Sequence, residues 1–256
     1  MCKLNSIKSL LVLWENKIKK QYFHVGTLYF DGMCYTFQYT YQEDSPRNVK
    51  AALQNGYRLH PVFSILEKAY KSNSLFATFD RRIPSDDRVN YSEILLDLGL
   101  PMDANRMDIL RETRGILSGD AYSFEEPLLL HQNRHLETNF YVNGMRHRNS
   151  ADDWLSQVQI GDGLVAVLEP DNEWNSIAVR LETKNGLHLG YIPAVYVEAV
   201  KSLIENGIDV NLKVIDIRPK SAPQWWIHVG LYCELKIGEK YILKNKIFGG
   251  LILKTV

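Results

Sequence analysis

The spacing of apolar and polar residues changes character along the chain. A first apolar run, Ile7–Trp14, reads as a strand or a short helix, because a continuous run does not separate the two. Phe23–Tyr29 and Met33–Tyr41 come next, with Asp31-Gly32 between them. Asp-Gly between two apolar runs predicts a hairpin, since positive φ is easiest there. Tyr35, Phe37, Tyr39 and Tyr41 alternate as a half-buried strand requires. Ser45–Asn48 interrupts the pattern, and helical spacing follows in Val49–Leu53 and Val62–Tyr70. Leu75–Phe79 is a short apolar piece before the polar turn Asp80–Ser85. Val89–Leu98 predicts a helix with Ile94, Leu95 and Leu98 on one face and Gly99 at its end. Met107–Thr113 predicts a second short helix, and Gly115–Ser123 a closing strand.

After Glu125-Glu126-Pro127 the pattern turns to short strands. Leu128–Thr138 reads as a connector. Strands are expected from Phe140, at Leu164–Leu168, at Ile177–Glu182 and at Leu187–Ile192, the last two joined by an Asn185-Gly186 turn. A helix over Ala194–Asn206 is stopped by Gly207, and Val210–Ile217 and Trp225–Leu235 alternate as strands. On a strand, Trp225 and Trp226 would point to opposite faces. The expected class is α+β: a mixed α/β subdomain over 1–127 opened by a β-hairpin, a linker over 128–139, and a small β-rich module with one helix over 140–256.

Composition narrows the function classes. With 256 residues, 45% hydrophobic and 23% charged, the chain can bury an ample core without staples. Lys+Arg and Asp+Glu are both 30, so the whole molecule is not a general polyanion binder. Residues 141–235 hold 8 Lys+Arg against 12 Asp+Glu, while Lys236–Val256 holds five lysines and one glutamate. That tail reads as a final strand pair with solvated lysines, or as a segment that touches phosphates or a membrane surface. Cys2, Cys34 and Cys233 are odd in number and show no metal-ligand spacing. They read as free thiols in a reducing compartment. With no leader pattern and no apolar run long enough to span a bilayer, the expectation is a cytoplasmic protein without membrane contact.

No catalytic constellation stands out. His131 and His135 are four apart, but Glu137 is the only close acid, so they read as surface histidines and no metal or cofactor is expected. Asp152-Asp153 reads as a helix N-terminus capped by Ser150. The expectation is a non-enzymatic protein.

Four ordered motifs carry a resemblance in the second half: Val142-Asn143-Gly144-Met145-Arg146-His147, then Gly161-Asp162, then Asn172-Glu173-Trp174-Asn175-Ser176-Ile177-Ala178-Val179, then Gly190-Tyr191-Ile192-Pro193 leading into a helix. Over Phe140–Leu235 the chain resembles the HIRAN domain, a small β-rich module of DNA-processing proteins. The resemblance implies a barrel-like fold and a pocket for the 3′ end of single-stranded DNA. Arg146 would meet phosphate, whereas His147 stands where the family has an aromatic. Trp174 matches a loop tyrosine and Asn175 a loop aspartate, with Asn172 opening that loop. Tyr191 lies near the pocket floor. The residue types suit such a pocket, since a flat ring is a stacking platform, an arginine fork fits phosphate, and an amide serves a terminal hydroxyl. Core packing is the alternative for Trp174 and Tyr191, and a pure protein-interaction platform or a nuclease is the alternative for the module.

The first half resembles the N-terminal subdomain of HipA-like toxin kinases over residues 20–126. The matching pieces are Val25-Gly26-Thr27-Leu28 with its hairpin through Tyr39, the segment Leu75–Asp86, and Asp108–Tyr122. No kinase motif follows Pro127. The resemblance implies an antitoxin or accessory subunit of bacterial toxin–antitoxin type that binds a separate HipA-like kinase. Phe76, Phe79, Arg81 and Arg82 are the candidate partner-binding residues, with core packing the alternative for the two phenylalanines.

Overall fold

A computed structural model describes residues 8–132, 134–147, 154–172, 177–235 and 245–254. The chain divides into two units, Met1–Pro127 and Leu128–Val256.

The first unit is built on an antiparallel sheet of β1 (Ser9–Asn16), β2 (Gln21–Phe30), β3 (Tyr35–Tyr39), β4 (Tyr70–Ser72) and β5 (Tyr122–Glu125), in the order β4-β3-β2-β1-β5. The first apolar run is therefore a strand. Leu10, Leu11, Val12 and Leu13 are all buried, so β1 is covered on both faces and shows no alternation. The predicted hairpin forms between Phe30 and Tyr35. Its turn is held by the Asp31 carboxylate, which accepts from the backbone N–H of Met33 (2.8 Å) and Cys34 (2.7 Å), while Gly32 takes φ +100°. Tyr35, Phe37 and Tyr39 are buried, with Thr36 and Gln38 more exposed between them.

The helices of this unit are α1 (Val49–Gln54), α2 (Ala77–Asp80), α3 (Tyr91–Asp97) and α4 (Arg106–Thr113). Asn105 and Asp108 form a capping box at the start of α4. The helical spacing at Val62–Tyr70 does not produce a helix. Only a single tight turn, Pro61–Phe63, forms before β4. Phe63 packs on Phe37 (4.3 Å between centroids), Phe76 (5.1 Å) and Phe79 (5.3 Å), and the Tyr70 hydroxyl accepts from Ile65 N–H, so tertiary anchoring overrides the local pattern. The closing strand starts at Tyr122 rather than Gly115. Arg114 (φ +54°), Gly115 (φ +53°) and Gly119 (φ +91°) hold the intervening chain in a loop.

The second unit carries an eight-stranded sheet: β6 (Leu128–Leu130), β7 (His135–Tyr141), β8 (Gly163–Glu169), β9 (Ala178–Thr183), β10 (His188–Tyr191), β11 (Val210–Ile217), β12 (Ile227–Glu234) and β13 (Ile252–Lys254). Its order is β10-β9-β8-β11-β12-β7-β6-β13. All pairings are antiparallel except β13 with β6. The segment expected to be a linker, 128–139, thus supplies two paired strands. The alternation of Leu128, Leu130, Leu136 and Thr138 as buried positions is what a sheet member requires. Among the described residues no closed sheet supports the expected barrel: in strand order β10 and β13 stand at the edges.

Helix α5 (Ala194–Glu205) covers the inner face through Tyr196, Val197, Val200 and Leu203, and ends before Gly207 at φ +70°. Trp225 and Trp226 do not alternate on a strand. Pro223 opens a tight turn over Pro223–Trp225, so Trp226 is buried beside Trp154 (5.7 Å) and donates to the Ser221 carbonyl, with Trp225 more exposed. In the tail, β13 pairs with β6, and residues 236–244 lie outside the described set. Residues 148–153, where Ser150 and Asp152-Asp153 were expected to start a helix, also lie outside it. Among the described residues no helix is long and apolar enough to cross a membrane.

Candidate nucleic-acid interface

The motif Gly190-Tyr191-Ile192-Pro193 has a steric explanation. A Cβ on Gly190 would stand 2.4 Å from the Asn143 carbonyl oxygen and 2.7 Å from Val142 Cγ1. Without that atom, β10 closes onto the chain leaving β7, and Asn143 and Tyr191 form an isolated antiparallel bridge with two 2.9 Å backbone hydrogen bonds. Pro193 then opens α5, at a position where no N–H is needed. On the other side of the bridge, Gly144 takes φ +79°, and a Cβ there would meet the Tyr191 ring at 3.4 Å. This turns the chain into the short segment Met145–His147. Met145 is buried as its anchor, while Arg146 and His147 are exposed, with Arg146 Nε donating to His147 Nε2 at 2.9 Å.

The third side of this corner is the end of β8. The Glu169 carboxylate accepts from Asn172 Nδ2 (2.6 Å) and from the Tyr191 hydroxyl (3.0 Å) on one oxygen, and from Arg180 Nη1 (3.2 Å) on the other. Asn172 Nδ2 also lies 3.3 Å from the Tyr191 hydroxyl. Arg180 is the cross-strand neighbour of Tyr191 and pairs in turn with Glu182 at 2.9 Å. His188 meets the Tyr191 ring edge-on at 5.1 Å. Burial alone would raise the Glu169 carboxyl, but the hydrogen bonds from Asn172 and Tyr191, with the nearby charge of Arg180 and His188, outweigh it and hold the group below its ordinary range. Beside Glu169, a cleft of about 170 Å³ opens between the β8–β9 strands and the Lys201–Glu205 ion pair of α5.

Of the sequence candidates, Asn172 and Tyr191 meet at Glu169, and the segment with the exposed Arg146 and His147 follows Gly144, which lies beside the Tyr191 ring. Trp174 and Asn175 lie outside the described residues. Sequence reading missed Glu169 and Arg180. The only local signal was a charge at the polar end of an apolar run, and their meeting depends on the β8–β9 register, in which Val167 stands opposite Arg180.

The partner-binding candidates of the first unit fare differently. Phe79 (4% exposed) is core, and Arg82 (8% exposed) is buried, ion-paired with Asp120 and donating to the Gly115 carbonyl. Phe76 is half-buried against Phe63, and Arg81 alone of the four is exposed. A surface made of all four does not exist, because α2 carries Phe79 into the core and Arg82 is buried against Asp120 and the Gly115 carbonyl. His131 Nε2 meets Glu137 at 2.8 Å and His135 packs edge-on to Tyr232, and among the described residues no group of three or more metal-binding side chains converges.

Residues 135–243 match the family model of the HIRAN domain, and this part of the chain is a HIRAN domain. Two solved structures are similar. A protein from Lactobacillus plantarum is 17% identical over 39% of this chain and 96% of its own, with a TM-score of 0.34. The HIRAN domain of human HLTF is 14% identical over 40% of this chain and 83% of its own, with a TM-score of 0.31. No curated protein matches the sequence.

Proposed function

We propose that the second unit is a non-enzymatic binding module for single-stranded DNA that engages a free 3′ end. The observation that supports this reading is the meeting of Asn172 and Tyr191 at Glu169, next to the bridge that leads into the exposed Arg146 and His147, within the residues that match the HIRAN domain. The exposed Arg146 and His147 supply the charge and the ring for a backbone phosphate and a terminal base, and Tyr191 would form the floor of the pocket. The excess of acidic residues over 141–235 supports capture of an end rather than a general backbone grip, because unspecific affinity scales with phosphate neutralisation. Cytoplasmic localisation is part of the same proposal.

Fluorescence anisotropy with 5′-labelled oligonucleotides tests it. A free 3′ end should bind more tightly than a blocked one. The double variant Trp174→Ala with Arg146→Ala should lose that preference while unfolding at an unchanged denaturant midpoint. Equal binding of free and blocked ends, or no binding, overturns the reading.

The proposal that the first unit partners a HipA-like kinase in a toxin–antitoxin system rests on the sequence of residues 20–126. Burial of Phe79 and Arg82 reduces its candidate surface to Arg81 and the edge of Phe76. Co-expression with a kinase encoded beside it, followed by size-exclusion chromatography, tests this. Separate elution of the two proteins removes it.

A further inference from the structure

Two buried donors of the first unit meet at one small cavity. His60 Nδ1 accepts from the Val62 N–H at 3.2 Å, so it carries no proton. Burial, with Arg81 and Arg82 nearby, lowers the pKa of His60 and keeps the imidazole neutral at pH 7. A neutral imidazole has a single N–H. Here it is on Nε2, which donates to Thr78 Oγ1 at 2.8 Å. The Thr78 hydroxyl therefore accepts from His60, and its own proton is left to donate elsewhere. Thr78 is buried, and among the described residues no other hydrogen bond engages its hydroxyl. Arg82 supplies the second donor. Its Nη1 donates to the Gly115 carbonyl at 2.9 Å and its Nη2 pairs with Asp120, but its buried Nε has no partner among the described residues. Thr78 and Arg82 both line a cavity of about 10 Å³, closed on its apolar side by Phe37, Phe63 and Phe79. Tyr57 and Tyr122 line it too, with the Tyr122 hydroxyl donating to that of Tyr57 at 3.1 Å.

We propose that this cavity is the site of one internal water molecule, which accepts from the Thr78 hydroxyl and from Arg82 Nε–H and donates to the Tyr57–Tyr122 hydroxyl pair. The volume matches the roughly 10–15 Å³ that a single water needs, and the polar partners fall within the usual two to four. A dry cavity would leave two buried donors unpaired, which native interiors rarely do. A halide would satisfy the same donors, but the Arg82 charge is already met by Asp120, and a buried ion without a counter-charge is far costlier than a neutral molecule. Water alone of the two can also donate to the tyrosine oxygens. It ties α2, which carries Thr78, to Tyr57 after α1 and to Tyr122 at the start of β5. The segment ending in Arg81 and Arg82 is thereby held against the sheet through a polar contact that no pair of side chains completes directly.

High-resolution crystal structures of the full chain test this, with Thr78→Ser and Thr78→Val beside the wild type. In the wild type one ordered water should stand roughly 2.7–3.2 Å from both Thr78 Oγ1 and Arg82 Nε. Thr78→Ser keeps the hydroxyl and should keep the water. Thr78→Val keeps the size but removes the donor, and the water peak should be lost. A sodium bromide soak of wild-type crystals separates water from halide. No anomalous peak is expected in the cavity, and a bromide peak there overturns the assignment to water. An empty cavity in the wild type overturns the proposal outright. A water equally well ordered in Thr78→Val overturns the role given to the Thr78 hydroxyl. The wild-type peak and the bromide soak decide the matter even if Thr78→Val fails to fold.

Discussion

Tyr191 and Asn143 exchange two backbone hydrogen bonds of 2.9 Å, a bridge that ties the edge strand β10 to the chain leaving β7. A sheet that is open in its strand order is drawn together at this point, and the chain runs on through Gly144, beside the Tyr191 ring, to the exposed Arg146 and His147.

Gly190→Ala should break this bridge. The added Cβ would sit 2.4 Å from a backbone oxygen that has no rotamer to escape into. The expected loss is about 1–3 kcal/mol of stability in the second unit, the usual cost of overpacking. Preference for a free 3′ end should fall with it. Denaturant unfolding followed by tryptophan fluorescence checks the first, and unchanged stability would show that the close approach is dispensable.

Phe63→Ala and Phe79→Ala should each destabilise the first unit by about 3–5 kcal/mol. Both rings sit in the Phe37–Phe63–Phe76–Phe79 cluster. Arg81→Ala, on the exposed side of the same segment, should stay within about 0.5 kcal/mol of the wild type. Urea midpoints of the three variants decide whether this segment is core or surface.

His24 predicts a pH dependence. Burial lowers its pKa from 6.5 to about 4, with a hydrogen bond at the Gly26 backbone opposing only in part. Between those values the unfolded chain binds a proton that the folded chain refuses, so stability rises with pH across this window and falls as pH drops from about 6.5 toward about 4. The full effect is on the order of 3 kcal/mol. Chemical unfolding at a series of pH values, compared with His24→Asn, should show the wild-type slope flattened in the variant. A slope of the same size in both proteins would assign it to other groups.

Salt should matter little to DNA binding. With acidic residues in excess over 141–235, about one or two phosphates are neutralised, giving a log–log slope near −1 to −2 rather than the far steeper slopes of general DNA binders. Arg146→Ala should reduce that slope by about one. Anisotropy titrations across a range of potassium chloride concentrations measure both. A steep slope would point to a broad basic surface instead of an end site.

Much of the fold is local enough to be read in the chain. The Asp31-Gly32 hairpin, the alternation of Tyr35, Phe37 and Tyr39, the helix Ala194–Glu205 and the order of strands β8 to β12 each follow from period, turn chemistry and capping within a few residues. In the first and last of the four motifs, Gly144, Gly190 and Pro193 each answer a backbone demand. Other features depended on partners distant in sequence. Val62–Tyr70 has helical spacing, yet Phe63 is claimed by an aromatic cluster from other segments. Leu128–Thr138 looks like a connector until β12 and β13 pair with it. For Phe79 the sequence left core and surface both open, and burial within the aromatic cluster decides for core, while Arg82 is buried through its ion pair with Asp120. Glu169, Asn172, Arg180 and Tyr191 meet only because strand register sets them side by side. Sequence alone determined where most elements begin and which side chains along the chain carry charge, amide or aromatic chemistry. Tertiary structure decided which donors face which acceptor, because hydrogen-bond polarity and burial are properties of contacts between segments and are encoded in no single one of them.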